Sequence, residues 1–181
     1  MQSFDRPTNP DLDPSPWVVR FARLIPAGGV VLDVACGHGR HVRYLRGLGY
    51  PVVAVDLDVS GLPDLRADPG VEILATDLET DAWPLGDRAF AGIVVTNYLH
   101  RPLFPRLIAA LAPGGVLICE TFAAGNEKVG RPRNPDFLLQ PGELAGAFGR
   151  VLQVIAAEEG YEALPRPAVR QRICARRADR G

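Results

Sequence analysis

Lysine is almost missing from this chain: of its 20 basic residues only Lys128 is not an arginine. That bias reads as genome composition rather than function. An excess of either charge is missing too. Twenty-one acidic residues offset the basic ones, and a formal net charge of -1 gives no global pull towards nucleic acid or acidic membranes. Cysteine is scarce: Cys36, Cys119 and Cys174 lie far apart. No pair has metal-ligand spacing, so no metal is expected, and an odd count argues against a closed disulfide framework. A reduced, cytoplasmic setting fits. No apolar run reaches about 18 residues, so no membrane span is expected. The opening MQSFDRPTNPDLDPSP is polar and holds four prolines, unlike the apolar core of a signal peptide.

What remains is an ordinary globular composition, 47% apolar and 23% charged over 181 residues. Residues 1–16 read as a flexible arm and 17–181 as a single domain. Short Val/Ile/Leu runs alternate with helical spacing. Strands are expected at 30–35, 51–57, 71–75, 91–96 and 116–122, with helices at 17–24, 40–48 and 102–111 and a weak helical segment near 59–66. A short helix near 143–148 and two more strands, 151–157 and 169–175, close the chain. The alternation implies parallel strands joined by right-handed crossovers, a doubly wound α/β sheet covered on both faces. Ligands in such sheets bind beyond the carboxyl ends of the strands. Asp33, Asp56, Asp77 and Asn97 fall at those ends.

The turn after the first strand, Asp33-Val34-Ala35-Cys36-Gly37-His38-Gly39, is rich in glycine. Gly37 and Gly39 let a ligand approach the main chain, and the helix from Arg40 points its free N–H groups there. Alone, such a turn fits many nucleotides. Asp56, 23 residues after Asp33, ends the second strand, where a carboxylate can accept both ribose hydroxyls of an adenosine-containing ligand. The dinucleotide pattern needs a third small residue, but Val42 stands at that position. Asp33 is poorly suited to a pyrophosphate and well suited to the cationic amino group of S-adenosylmethionine (SAM).

VLDVACGHGR (31–40) resembles the first motif of class I SAM-dependent methyltransferases, with Ala35 in place of a glycine. AVDLD (54–58), ATDLE (75–79), IVVTNYLH (93–100) and LAPGGVLICETF (111–122) resemble the family's later motifs, in order, over roughly residues 28 to 122. Size and motif wording are loosely similar to the tellurite-resistance and thiopurine group of small-molecule methyltransferases. The resemblance implies a Rossmann-like sheet of seven strands, the last antiparallel. It implies SAM as cofactor, held by Asp33, Ala35, Cys36, Gly37, Gly39, Asp56, Leu57, Asp77, Leu78 and Asn97. Cys36 reads as a small filler of the turn rather than a nucleophile.

Tyr98 and His100 are the candidates for catalytic contact with the acceptor, His100 as a proton acceptor. The NYLH run lacks the pattern of amino-group methyltransferases acting on DNA bases, so base methylation is not inferred. His38 is expected beside the cofactor and His41 as a solvated first-turn residue. The 123–140 stretch exceeds usual loop length and reads as a lid or substrate loop, with Lys128, Arg131 and Arg133 to hold an anion. The C-terminal arginines, among them Arg166, Arg170, Arg172 and Arg180, fit strand alternation and a frayed tail; nucleic acid is not favoured because no aromatic platform interleaves them. A small-molecule acceptor is expected. An RNA or protein methyltransferase and a non-catalytic SAM-binding regulator stand as alternatives.

Overall fold

The computed structural model describes residues 12–80 and 82–179. Most of the expected arm, and Arg180, lie outside the described residues. Seven strands form one sheet in the order β3-β2-β1-β4-β5-β7-β6. In chain order they are β1 (Val31–Val34), β2 (Val52–Asp56), β3 (Val71–Ala75), β4 (Phe90–Thr96), β5 (Leu111–Phe122), β6 (Gln153–Glu162) and β7 (Ala168–Arg176). The first five run parallel, and β7 is antiparallel to both neighbours, β5 and β6. The expected mixed seven-stranded α/β sheet is the observed one.

The four α-helices divide between the two faces. α1 (Pro16–Phe21) and α2 (Arg40–Gly47) cover one; α3 (Phe104–Ala110) and α4 (Glu143–Phe148) cover the other. Strand alternation feeds both layers. Val31, Val94, Ile118 and Cys174 pack with Trp17, Phe21 and Leu45 on the first face. Leu32, Ile93, Val95 and Leu117 pack with Leu107, Leu144 and Phe148 on the second. The register puts Asp33, Thr96, Glu120, Arg170 and Arg172 in the alternation of the α1/α2 face, beyond the apolar layer.

Two expectations need correction. The 59–66 segment forms only a short 3-10 turn, Leu65–Ala67, because Gly61 and Pro63 interrupt it. β5 starts at Leu111, five residues before the expected Val116, because Leu111 pairs with Phe90 across an irregular register.

α1 begins where Ser15 accepts the Trp17 N–H (3.1 Å) and Pro16 takes the first helical position. Ser15 is itself buried, and its N–H donates to His41 Nε2 at 3.1 Å. His41 Nδ1 lies 3.4 Å from Thr96 Oγ1. His41 is therefore not the solvated residue its place in the first turn of α2 suggested; it is 2% exposed and joins the chain entering α1 to the sheet. Burial, and secondarily the Arg40 charge, lower its pKa to about 3. It is neutral, with the proton on Nδ1 as the Ser15 bond requires. His41→Leu leaves a buried N–H without an acceptor and is expected to cost about 1–3 kcal/mol of stability. A urea midpoint equal to wild type would show that the segment needs no such anchor.

Candidate active site

The turn between β1 and α2 is built by its backbone. Ala35, Gly37 and Gly39 all take positive φ (53°, 52° and 75°). Gly37 and Gly39 do so without penalty, whereas Ala35, where the family motif has glycine, does so against its Cβ. The Cys36 N–H bonds Val55 O (3.0 Å) and the Gly39 N–H bonds Cys36 O (2.9 Å), which closes the turn against β2. Gly39 is also pressed from behind: a Cβ there would stand 2.6 Å from Leu62 and 2.9 Å from Leu65. At Gly37 a Cβ would meet nothing within 4 Å, so that side of the turn is open to a ligand.

Asp56 does two things. One carboxylate oxygen accepts the Gly37 N–H at 2.7 Å, the other the Asp58 N–H at 3.0 Å. It thus pins the turn and presents its remaining lone pairs at the strand end. Leu57, next to it, is 70% exposed, an apolar surface with no protein covering it. Asp77 accepts the Glu79 N–H (2.8 Å), and that bond with the Thr80 hydroxyl holds its carboxyl below the usual range. Leu78 turns its side chain into the core.

Asp33 is the anomaly. It is 1% exposed, its Oδ2 has no hydrogen-bond partner, and burial raises its pKa to about 8 despite the opposing Arg40 charge and a Val42 N–H. A buried carboxylate oxygen without a donor is costly. A ligand ammonium group supplies the missing donor, so the donor set fits SAM: a cation partner, a ribose partner and an uncovered apolar face in line along three strand ends. Cys36 is buried, and burial with the Asp33 and Asp56 charges pushes its thiol up, so it stays protonated. His38 is exposed against Gly61.

Next to this cradle, on the same face, lies a cavity of about 810 Å³. Trp17 and the chain entering α1 form one wall, the floor is the β5-β7-β6 surface, and the β6–β7 turn with residues 129–131 forms the rim. Arg40 and Asn97 line it and also flank the cradle. Asn97 is in the left-handed region (φ 56°) and accepts from Arg170 at 2.5 Å. Arg170 also bonds Glu162 (2.6 Å) and stacks over the Phe122 ring at 4.1 Å. Arg172 bridges Glu120 (2.8 Å) and Glu162, and Arg20 pairs with Glu158 (2.7 Å).

This network is the part that sequence reasoning missed. Arg170 and Arg172 do alternate on one strand face, as expected, but that face is the cavity floor. The one available signal was the matching alternation of Glu120 and Phe122 on β5.

Of the expected substrate-loop residues only Arg131 reaches the cavity. Arg133 bonds back to Gly130 O, and Lys128 sits in a 3-10 turn away from it. The loop is docked rather than open. Asn126, fully buried, bonds Pro132 O and the Val169 N–H (3.0 Å each). Arg101 clamps the far end through Glu143 (2.6 Å), Asp136 O and Leu138 O. Tyr98 and His100 are together, but not on the cavity. They border a crevice of about 10 Å³ against Leu103 and Phe104, room for roughly one water. Burial, with the neighbouring Glu79 and the Asp77 charge, pushes the Tyr98 hydroxyl up. Asp77 lies within electrostatic reach of His100.

A family model described as a methyltransferase domain matches residues 11–142. The chain belongs to this methyltransferase-domain family. The match ends at Gly142, so the β6–β7 half of the cavity lies beyond it. A curated relative, a tRNA (carboxymethyluridine(34)-5-O)-methyltransferase of Arabidopsis thaliana, is 28% identical over 120 residues, 62% of this chain and 28% of that one. Among solved structures, TehB from Haemophilus influenzae aligns with TM-score 0.72 at 20% identity over 88% of this chain and 61% of that one. The chain thus spans less than two thirds of either protein's length. A Burkholderia thailandensis 1,6-didemethyltoxoflavin-N1-methyltransferase, solved with its substrate and S-adenosylhomocysteine, aligns with TM-score 0.68 at 22% identity over 90% of this chain and 76% of that one. These structures share the methyltransferase fold. Among the described residues no helix is long and apolar enough to cross a membrane.

Proposed function

We propose that the chain transfers the methyl group of SAM to a small acceptor held in the cavity over β5 and β7. The observation that carries this reading is the contiguity of two sites. Arg40 and Asn97 border both the cradle, with its unpartnered Asp33 oxygen, and a cavity within the roughly 300–1,000 Å³ of small-molecule sites. When bound, SAM supplies a sulfonium whose methyl group is already activated. Asp33 holds its ammonium group, Asp56 its ribose hydroxyls, and Leu57, Asp77 and the Leu78 backbone its base. Trp17 and the segment anchored by His41 keep water from the acceptor, and the cavity floor orients it; positioning and desolvation then supply the rate.

Tyr98 and His100 belong in this reading to the cofactor's base side, beside Asp77, and not to the transfer. Among the described residues the cavity lining contains no histidine, lysine, cysteine or tyrosine, and its glutamates Glu120, Glu158 and Glu162 are each held by an arginine; the nucleophile in this reading is one that needs no protein base. The three free cysteines favour a cytoplasmic setting. The plant relative, whose name gives a tRNA carboxymethyluridine as its substrate, supports a second reading in which the cavity receives a single nucleoside of an RNA. That reading expects turnover to weaken steeply with salt. The test is a panel of acceptor classes with SAM, reading S-adenosylhomocysteine. Turnover with at least one small acceptor supports the first reading; turnover with RNA alone replaces it with the second.

A further inference from the structure

We infer that the acceptor is a small organic acid, its oxyanion held by Arg131 beside Arg170 and its apolar body against the β6–β7 rim. This rests on the proposed function and goes beyond it by naming the acceptor's chemistry. Among the described residues six arginines and four carboxylates line the cavity. Glu120, Glu158 and Glu162 are consumed by Arg172, Arg20 and Arg170. Those pairs leave the walls rigid and close to neutral.

Arg131 stands apart. It is exposed at the cavity rim and has no hydrogen bond or ion pair within the described residues. Arg170 is fixed from three sides, by Glu162 through Nε, by Asn97 through one terminal nitrogen and by the Phe122 ring, while its other terminal nitrogen is uncommitted. A planar guanidinium held this way recognises a carboxylate or phosphate with little further loss of freedom.

A second observation concerns the rest of the rim. Leu164 is 80% exposed and Val129 40%, and both line the same cavity together with Pro165 and Pro167. Apolar side chains facing a charged floor across one cavity suit a molecule with an apolar body and an anionic end. A cation is disfavoured, because each floor carboxylate already has an arginine.

The experiment titrates phenylacetate, phenyl phosphate and phenylacetamide into the full chain saturated with S-adenosylhomocysteine. At least one acid is expected to bind about tenfold tighter than the amide, and the stronger acid says whether the oxyanion is carboxylate or phosphate. In R131Q the preference is expected to fall about tenfold while S-adenosylhomocysteine affinity is kept. The exposed position leaves the fold out of question. Equal affinity for acid and amide, no binding of either acid, or a preference untouched by R131Q overturns the inference while the methyltransferase reading stands. Failure of S-adenosylhomocysteine itself to bind sinks both.

Discussion

Asp33→Asn is expected to weaken SAM binding at least 30-fold, about 2 kcal/mol or more, the usual loss when one side of a buried charge pair is removed. The same substitution should stabilise the ligand-free chain at high pH. Asp33 has a folded pKa of about 8 against an ordinary 3.8, so between those values the folded chain holds a proton the unfolded chain has lost. Stability from this group falls as pH rises. His41 has the opposite sign: with a folded pKa of about 3 against 6.5, it makes stability fall as pH drops. Between about pH 4 and 6.5 the two slopes oppose each other. From 6.5 to 8 Asp33 acts alone, and stability falls by up to about 1.4 kcal/mol per pH unit. Asp33→Asn abolishes that fall, measured as urea midpoints across the range. SAM affinity in wild type should climb towards pH 8 as Asp33 ionises, then decline as the ligand's amino group loses its proton. A flat affinity profile would mean that Asp33 does not meet the ammonium group.

Asp56→Ala should lower SAM affinity by about 1.5–3 kcal/mol, roughly 10- to 100-fold, through the loss of charge-assisted hydrogen bonds. The wild-type carboxylate also holds the Gly37 and Asp58 N–H groups, so part of the loss comes from a loosened turn. Asp56→Asn separates the two effects. Its amide oxygen can hold one N–H group, and its affinity should fall between those of wild type and Asp56→Ala in calorimetry. Equal affinity for wild type and both variants would remove Asp56 from the ribose site.

The proposed cofactor side was legible because it is local. Asp33 to Gly39 is one contiguous turn, and Asp56, Asp77 and Asn97 mark successive strand ends whose Val/Ile runs are plain. The acceptor side was not, because segments scattered along the chain build it. Trp17 and Arg20 come from α1, Asn97 follows β4, Glu120 sits in β5, Arg131 in the loop and Arg170 in β7. The alternation of Arg170 and Arg172 could be read from the sequence, but which side faced a cavity depends on where α1 packs. His41 was misread for the same reason: its partners Ser15 and Thr96 are 26 and 55 residues away. Tyr98 and His100 follow the expected strand, yet the chain turns them towards Asp77 and away from the cavity.

The central claim is that the cradle of Asp33, Gly37 and Asp56 holds SAM. Calorimetric titration of the full chain with SAM, with NAD as the comparison, tests it most directly. The account predicts one SAM per chain, abolished or greatly weakened by Asp33→Asn, and no binding of NAD. Binding of NAD without SAM, or SAM affinity indifferent to Asp33, would contradict it.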